Sequence, residues 1–182
     1  MKTYDEEELL KRLANPTTSR QAFAEIVAQY GEQLYWGIRR MVFLHEDAND
    51  ILQNTFIKAW TNLSEFEGRS KLSTWLHRIA INECLTFIRK QKLNSAIYAD
   101  GEDSLANKLL ADEYFDGDEV QAMLQEAIAS LPDVQRQVFC LRYYDEVKYS
   151  DMSVLLNTSQ GALKASYHLA VKKIQEYFNR HD

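Results

Sequence analysis

Tyr149-Ser150-Asp151-Met152-Ser153-Val154-Leu155-Leu156-Asn157-Thr158-Ser159-Gln160-Gly161-Ala162-Leu163-Lys164 is the stretch whose reading decides the fold. Met152, Leu155 and Leu156 fall at helical spacing, a short polar break follows, and the spacing resumes with Leu163 and Tyr167. Ser150 and Ser159 stand where N-caps belong, because a serine hydroxyl can accept a backbone N–H that the first helical turn leaves unpaired. The pattern predicts a helix, a tight turn and a second helix over a small core of Met152, Leu155, Leu156, Leu163 and Tyr167. Gln160, Lys164, Ser166 and His168 are then available to a major groove, and Lys172 and Lys173 to phosphates. Gly161, Ala162 and Ala165 permit close approach to DNA, although a helical glycine costs about 1 kcal/mol. A helical hairpin whose polar face meets only water has the same pattern, so the segment alone leaves two readings.

Outward from this motif, helical spacing predicts second-domain helices over 119 to 130, 133 to 144, 150 to 156 and 160 to 179. Leu131-Pro132 opens one of them, where a first-turn proline loses no hydrogen bond. From Glu6 to Gln91 apolar residues again recur at helical spacing: Leu9, Leu10, Leu13, then Phe23, Ile26, Val27, Tyr30, Leu34, Ile38, Val42, then Ile51, Leu52, Phe56, Ile57, Trp60. Asn15-Pro16 separates the first two helices, Asp47 is placed to cap the third, and Glu67-Gly68-Arg69-Ser70 interrupts before the fourth. No strand pattern and no repeat is present. The fold class read here is all-α: two small helical domains, 1–93 and 119–182, joined by an acidic linker over 94–118, the second being the helix-turn-helix domain.

Between Asn94 and Val120 eight acids face Lys108 alone, a local charge of −7 that exceeds the whole chain's −6, so everything outside it is slightly basic. Net charge therefore does not exclude nucleic acid. Leu105, Leu109 and Leu110 have the spacing of a short helix within that stretch, whose expected role is spacing and solubility. With 46% hydrophobic residues in 182, the chain is long enough for a core and is not a disordered one. Neither a leader pattern nor a membrane-length apolar run is read, so a cytoplasmic location is expected. Cys84 and Cys140 sit in apolar helical patterns without a metal-ligand spacing and read as buried thiols; a disulfide between them is the lesser alternative. No nucleophile-base pair, no Gly-rich phosphate loop and no cofactor signature appears, which sets an enzyme aside.

The other informative stretch is Phe66-Glu67-Gly68-Arg69-Ser70-Lys71-Leu72-Ser73-Thr74-Trp75-Leu76-His77-Arg78-Ile79-Ala80-Ile81-Asn82, a basic loop that runs into a helix. Rings stack on bases and cations hold phosphates, so aromatics interleaved with arginines at such a junction point to strand opening. Thr74, Arg78 and Asn82 lie four apart on one stripe, while Arg69, Ser70 and Lys71 belong to the loop. Trp75, among Leu72, Leu76 and Ile79, reads first as packing and second as a base contact.

Together these segments resemble bacterial sigma factors of the extracytoplasmic function class, in the Sigma-70 family that directs RNA polymerase to promoters. The resemblance covers nearly the whole chain. Asp47 to Trp60 looks like the helix that meets the polymerase clamp, Phe66 to Arg89 like the minus-ten reading and melting segment, and Leu131 to Ile174 like the minus-thirty-five reader. Carried over residue by residue, the resemblance implies polymerase contacts at Asp47, Asp50, Gln53 and Asn54, where the family commonly has Glu in place of Asn54. It implies minus-ten contacts at Arg69, Ser70, Lys71, Thr74, Trp75, Arg78, Asn82 and Arg89, and minus-thirty-five contacts at Gln160, Lys164, Ser166, His168, Lys172 and Lys173. Ser166, Leu169 and Val171 stand where many members carry arginines. The partners implied are core RNA polymerase, promoter DNA and an anti-sigma factor at the inner membrane, with no cofactor, metal, small-molecule substrate or covalent chemistry. The rival reading is a conventional helix-turn-helix regulator that acts on duplex DNA without joining polymerase.

Overall fold

Residues 6–66, 68, 70–93 and 104–181 are described in the computed structural model, and every regular element among them is helical. The N-terminal part contains α1 (Glu6–Ala14), α2 (Ser19–Val42), α3 (His45–Thr61) and α4 (Leu72–Leu93), with one 3-10 turn at Leu63–Glu65. The core follows from spacing. Leu72, Leu76, Ala80, Cys84 and Ile88, four residues apart, give α4 one buried stripe, and its small members let α2 approach through Leu34, Ile38 and Met41. Ala48, Ile51, Phe56 and Ala59 give α3 the matching face, and Phe23 of α2 meets the ring of Trp60 edge-on at 5.0 Å. Asn15 makes the break after α1 by accepting the Thr17 N–H at 3.0 Å on its own side chain.

Asp47 does not cap α3. The helix starts two residues earlier, with Leu44 at the N-cap and no side-chain cap bond, which leaves Asp47 in the first turn. The cause is the α2–α3 junction, only two residues long, where buried Phe43 takes φ 72° and returns its N–H to the Arg39 carbonyl at 2.8 Å. A positive φ at a bulky residue costs on the order of 1–3 kcal/mol and nothing local announces it.

The described part of the acidic stretch is packed on its neighbours. Residues 94–103 lie outside the described residues, but α5 (Leu105–Leu110) forms as its leucines suggest, with Ser104 accepting the Asn107 N–H at 3.2 Å. Leu105 and Leu109 are fully buried, and the Leu105 N–H is taken by Glu126. Just beyond, Arg39 Nη2 donates to Asp112 Oδ2 at 2.8 Å with both side chains nearly sealed from water, 7% and 12% exposed. An acid paired in this way escapes the solvation that holds most acidic segments in water.

The C-terminal part holds α6 (Glu119–Ala129), α7 (Asp133–Tyr143), α8 (Tyr149–Leu156) and α9 (Gln160–His181), all within two residues of the sequence reading. Asp118 caps α6 by accepting the Gln121 N–H at 2.8 Å. Pro132 is the N-cap of α7 rather than a first-turn residue. Ser150 is likewise not a cap: Lys148 holds that position for α8, and the Ser150 hydroxyl donates to Asp151 instead. Ser159 does accept the Ala162 N–H, at 3.3 Å, as α9 begins. The turn between α8 and α9 is made by Asn157 at φ 49°, ψ 47°, a left-handed position asparagine tolerates better than most residues.

The two halves share their interior. One buried cluster runs from Leu9 and Ile26 through Leu105 to Cys140 and Ile174, and a second joins Ile81 of α4 to Val138, Leu141, Met152 and Leu163. The small helix-turn-helix core expected from Met152, Leu155, Leu156, Leu163 and Tyr167 is present, with Ile81 as an addition from the other domain.

Candidate nucleic-acid and partner interfaces

Three faces carry the residues singled out in the sequence. The first is the outer side of α3. Because Ala48, Ile51, Thr55, Phe56 and Ala59 turn inward, Asp50, Gln53 and Asn54 point to solvent, and Asp47 is half-buried beside them. Burial raises the Asp47 carboxyl above its usual value and the neighbouring Asp50 and Glu46 push it the same way, against a long bond from Gln91 Nε2 at 3.5 Å. Between α3 and the linker lies an open groove of about 1050 Å³, whose acids are Glu46, Asp47, Asp50, Asp112 and Glu113 against Lys108. Asp47 and Asp50 of the face read in α3 are therefore part of one wall of a larger acidic groove, while Gln53 and Asn54 lie beyond its lining. The opposite wall was missed because it depends on where α5 docks, which no local pattern reports. His45 fixes the corner: the Tyr35 hydroxyl meets its Nδ1 at 2.8 Å, the Asn49 amide its Nε2 at 2.8 Å, and Tyr114 stacks on its ring at 3.7 Å.

The second face belongs to α4 and the loop before it. Gly68 takes φ 68°, a turn conformation that glycine adopts without strain. Ser70 and Lys71 are described and sit at the helix entrance, with Lys71 exposed; Arg69 lies outside the described residues. Thr74, Arg78 and Asn82 do share one stripe of α4, and Arg89 and Lys90 are exposed further along. Trp75 is half-buried and packs on Phe66 with ring centres 5.2 Å apart, as its apolar neighbours suggest. Asn82 and Arg78 of the stripe are exposed and Thr74 is half-buried, and two of the three have neighbours. Arg78 Nη2 donates to the Val154 carbonyl of α8 at 3.1 Å, and Thr74 looks toward Asp145 and Asp151 across a crevice.

The third face is that of α9. Leu163, Ala170 and Ile174 are buried and Tyr167 is half-buried, so Gln160, Lys164, His168 and Lys172, four residues apart, form an exposed stripe. Lys164 Nζ lies 5.8 Å from the Tyr149 ring, which steadies it over the start of α8. Ser166 is half-buried and does not join that stripe: two residues beyond Lys164 it lies about 200° round the helix, on the flank of Lys173. Lys172 reaches Glu176 at 3.8 Å, and Lys173 is exposed.

A helix-turn-helix domain packed on a helical domain, with an acidic outer helix and a polar stripe on α4, is an all-α arrangement with separate acidic and polar faces. The chain's own relatives make that specific. Residues 26–93 match Sigma-70 region 2 and residues 121–174 match Sigma-70 region 4. The ECF RNA polymerase sigma factor SigW of Bacillus subtilis is 34% identical over 158 residues, covering 82% of this chain and 84% of SigW. SigM of the same organism is 27% identical, covering 86% of this chain and 94% of SigM. The chain belongs to the ECF sigma factors of the Sigma-70 family. Its fold agrees: the structure of CnrH in complex with the cytosolic domain of CnrY superimposes with a TM-score of 0.69 at 20% identity over 97% of this chain and 99% of that one. The sigma factor RpoE from Bartonella quintana, in complex with the anti-sigma factor NepR, gives 0.61 at 23% identity over 86% and 96%. Promoter-specific initiation with RNA polymerase is the work of this family, and the regulator that never joins polymerase is not favoured.

Proposed function

We propose that three faces divide the work of initiation. Asp47, Asp50, Gln53 and Asn54 on α3 bind core polymerase, because an acidic and amide surface complements a basic groove and steers it into register. Arg69, Ser70, Lys71, Thr74, Arg78, Asn82 and Arg89 receive the separated minus-ten strand, with Trp75 supporting the loop through Phe66. A captured base repays an unstacking cost of a few kcal/mol. Gln160, Lys164 and His168 read the minus-thirty-five groove, while Ser166, Lys172 and Lys173 serve the flanking backbone. On this reading 1–93 and 119–182 are the working domains and 94–118 connects them. The chain performs no covalent step; polymerase makes the RNA, in the cytoplasm.

The single observation that carries this reading is the α9 stripe of Gln160, Lys164 and His168, exposed together on a helix whose opposite side is buried. RpoE from Bartonella quintana is bound by the anti-sigma factor NepR, and CnrH by the cytosolic domain of CnrY. By extension, an anti-sigma factor at the inner membrane holds this chain until a signal arrives. Run-off transcription with purified bacterial core polymerase on a library of promoter fragments tests the core of the proposal. Discrete transcripts that vanish with Asp50→Ala and Gln53→Ala together are expected. Transcripts that survive that change remove α3 from the polymerase contact, and duplex binding without any transcript returns the rival regulator.

A further inference from the structure

The outer side of α9 carries one large apolar side chain among polar neighbours. Leu169 is 46% exposed and, among the described residues, belongs to neither buried cluster. Leu163, Ala170 and Ile174 define the buried side of the helix. At about 100° per residue Leu169 stands about 120° round from Leu163, away from the seam between the two halves where Leu163 meets Ile81. Its neighbours on the helix surface are Ala165, four residues before it, and Lys172 and Lys173, three and four residues after it, all exposed.

A single exposed leucine is ordinary on a protein surface. What distinguishes this one is its company. The helix carries Lys164, Lys172, Lys173 and Arg180 against Glu176 alone, so the surface around Leu169 suits a polyanion. Leu169 itself can neither donate to a base edge nor hold a phosphate. In the major groove the base edges of guanine, adenine and cytosine offer donors and acceptors, and thymine adds the C5 methyl, the one apolar group there that a leucine can cover. Packing the two together removes both from water. The helix rises about 7.5 Å from Lys164 to Leu169, roughly two base-pair steps, so the thymine falls within about three base pairs of the base that Lys164 contacts.

We propose that Leu169 is a specificity-determining residue of the minus-thirty-five contact, selecting an A·T pair by packing on the thymine methyl. This rests on the minus-thirty-five reading of α9. The helix then reads by two kinds of chemistry: Lys164 and its stripe by hydrogen bonds, and Leu169 by apolar contact. Lys172 and Lys173, on either flank of Leu169, hold the backbone while it does so.

The test uses holoenzyme assembled from core polymerase and the full-length chain, natural or Leu169→Ala, on a promoter fragment that the natural holoenzyme transcribes. Each thymine of the minus-thirty-five element is replaced singly by deoxyuridine, which removes the methyl and keeps every hydrogen bond of the pair. With the natural chain one replacement should weaken binding about fourfold, the factor that burying one methyl-sized group is worth, and the others should have little effect. Leu169→Ala holoenzyme should bind the unaltered fragment more weakly by at least that factor and be indifferent to the same replacement. Because Leu169 is exposed and alanine favours a helix, the variant keeps its fold. A natural chain indifferent to every replacement overturns the proposal, and so does a variant that discriminates thymine from deoxyuridine as the natural chain does. A variant that assembles poorly with core polymerase, while its holoenzyme keeps the thymine preference, also overturns it and assigns Leu169 to a protein contact. Lys164→Ala is measured alongside. If it weakens the preferred duplex while no methyl matters, the role of Leu169 falls alone; if neither substitution alters duplex binding, the minus-thirty-five reading of α9 falls and takes that role with it.

Discussion

Helices α4 and α9 carry the same local device, polar side chains four residues apart on an outer stripe, and the fold treats them in opposite ways. Gln160, Lys164 and His168 are exposed, with Lys164 over the Tyr149 ring at the start of α8, whereas Thr74 is half-buried at the crevice and the exposed Arg78 donates to the Val154 carbonyl of α8. What separates them is a neighbour. Ile81 sits beside the α4 stripe, and an apolar residue there stays out of water only if another surface covers it. Spacing along a helix states which residues share a face; what that face meets is settled by packing between residues far apart in the chain.

The strongest way to break the comparison is to remove the cluster that both helices use. Leu163→Ala empties a fully buried position shared by α8, α9 and Ile81, and should cost about 2–5 kcal/mol in chemical denaturation. A loss below about 1 kcal/mol would mean that the site collapses and that the cluster does not couple the two helices. Next, Lys164→Ala should cost about 1–3 kcal/mol on the preferred minus-thirty-five duplex and relax its sequence preference. Lys172→Ala should instead weaken all duplexes evenly and lower the salt slope by about one, both read from titrations at several salt concentrations.

Smaller effects sharpen the comparison at the caps and the seam. Ser159→Ala should destabilise the C-terminal domain by about 1 kcal/mol, while Ser150→Ala, which removes no cap, should leave thermal melting nearly unchanged. The smallest effect lies in alkaline solution. Burial pushes the Cys140 thiol from 9.0 up to about 12, raises Cys84 in the same direction, and lifts Tyr144 from 10.0 to about 12. The unfolded chain gives up these protons near the ordinary values and the folded chain keeps them, so above about pH 9 the folded state binds more protons and stability falls as pH rises. Melting curves between pH 8 and 11 should show that fall, with a shallower slope in Cys140→Ala.

Much of this fold was legible in the sequence because its signals are local. The α4 and α9 stripes, the Ser159 cap and the α6, α7 and α9 boundaries each depend on residues within a turn or two of one another. The Asp47 and Ser150 caps were misplaced because α3 and α8 begin early, the first behind a strained Phe43 that carries no turn signal. The packing of the acidic stretch was not legible for another reason: its charge argued for water, and the partner that pins it, Arg39, lies 73 residues away from Asp112. The same distance effect hid Lys108, Asp112 and Glu113 from the acidic groove of α3 and hid the contact of Arg78 with Val154. Ser166 and Lys164 are two residues apart, and helical geometry sets them on different flanks.

The most direct test of α4 as the strand-capturing face is permanganate reactivity of unpaired thymines at a promoter bound by holoenzyme, comparing the natural chain with the Thr74→Ala, Arg78→Ala, Asn82→Ala triple variant. The account predicts an open minus-ten region with the natural chain, and with the variant a promoter that is still bound through α9 but remains closed. Equal thymine reactivity in the two would contradict it and take strand capture away from α4.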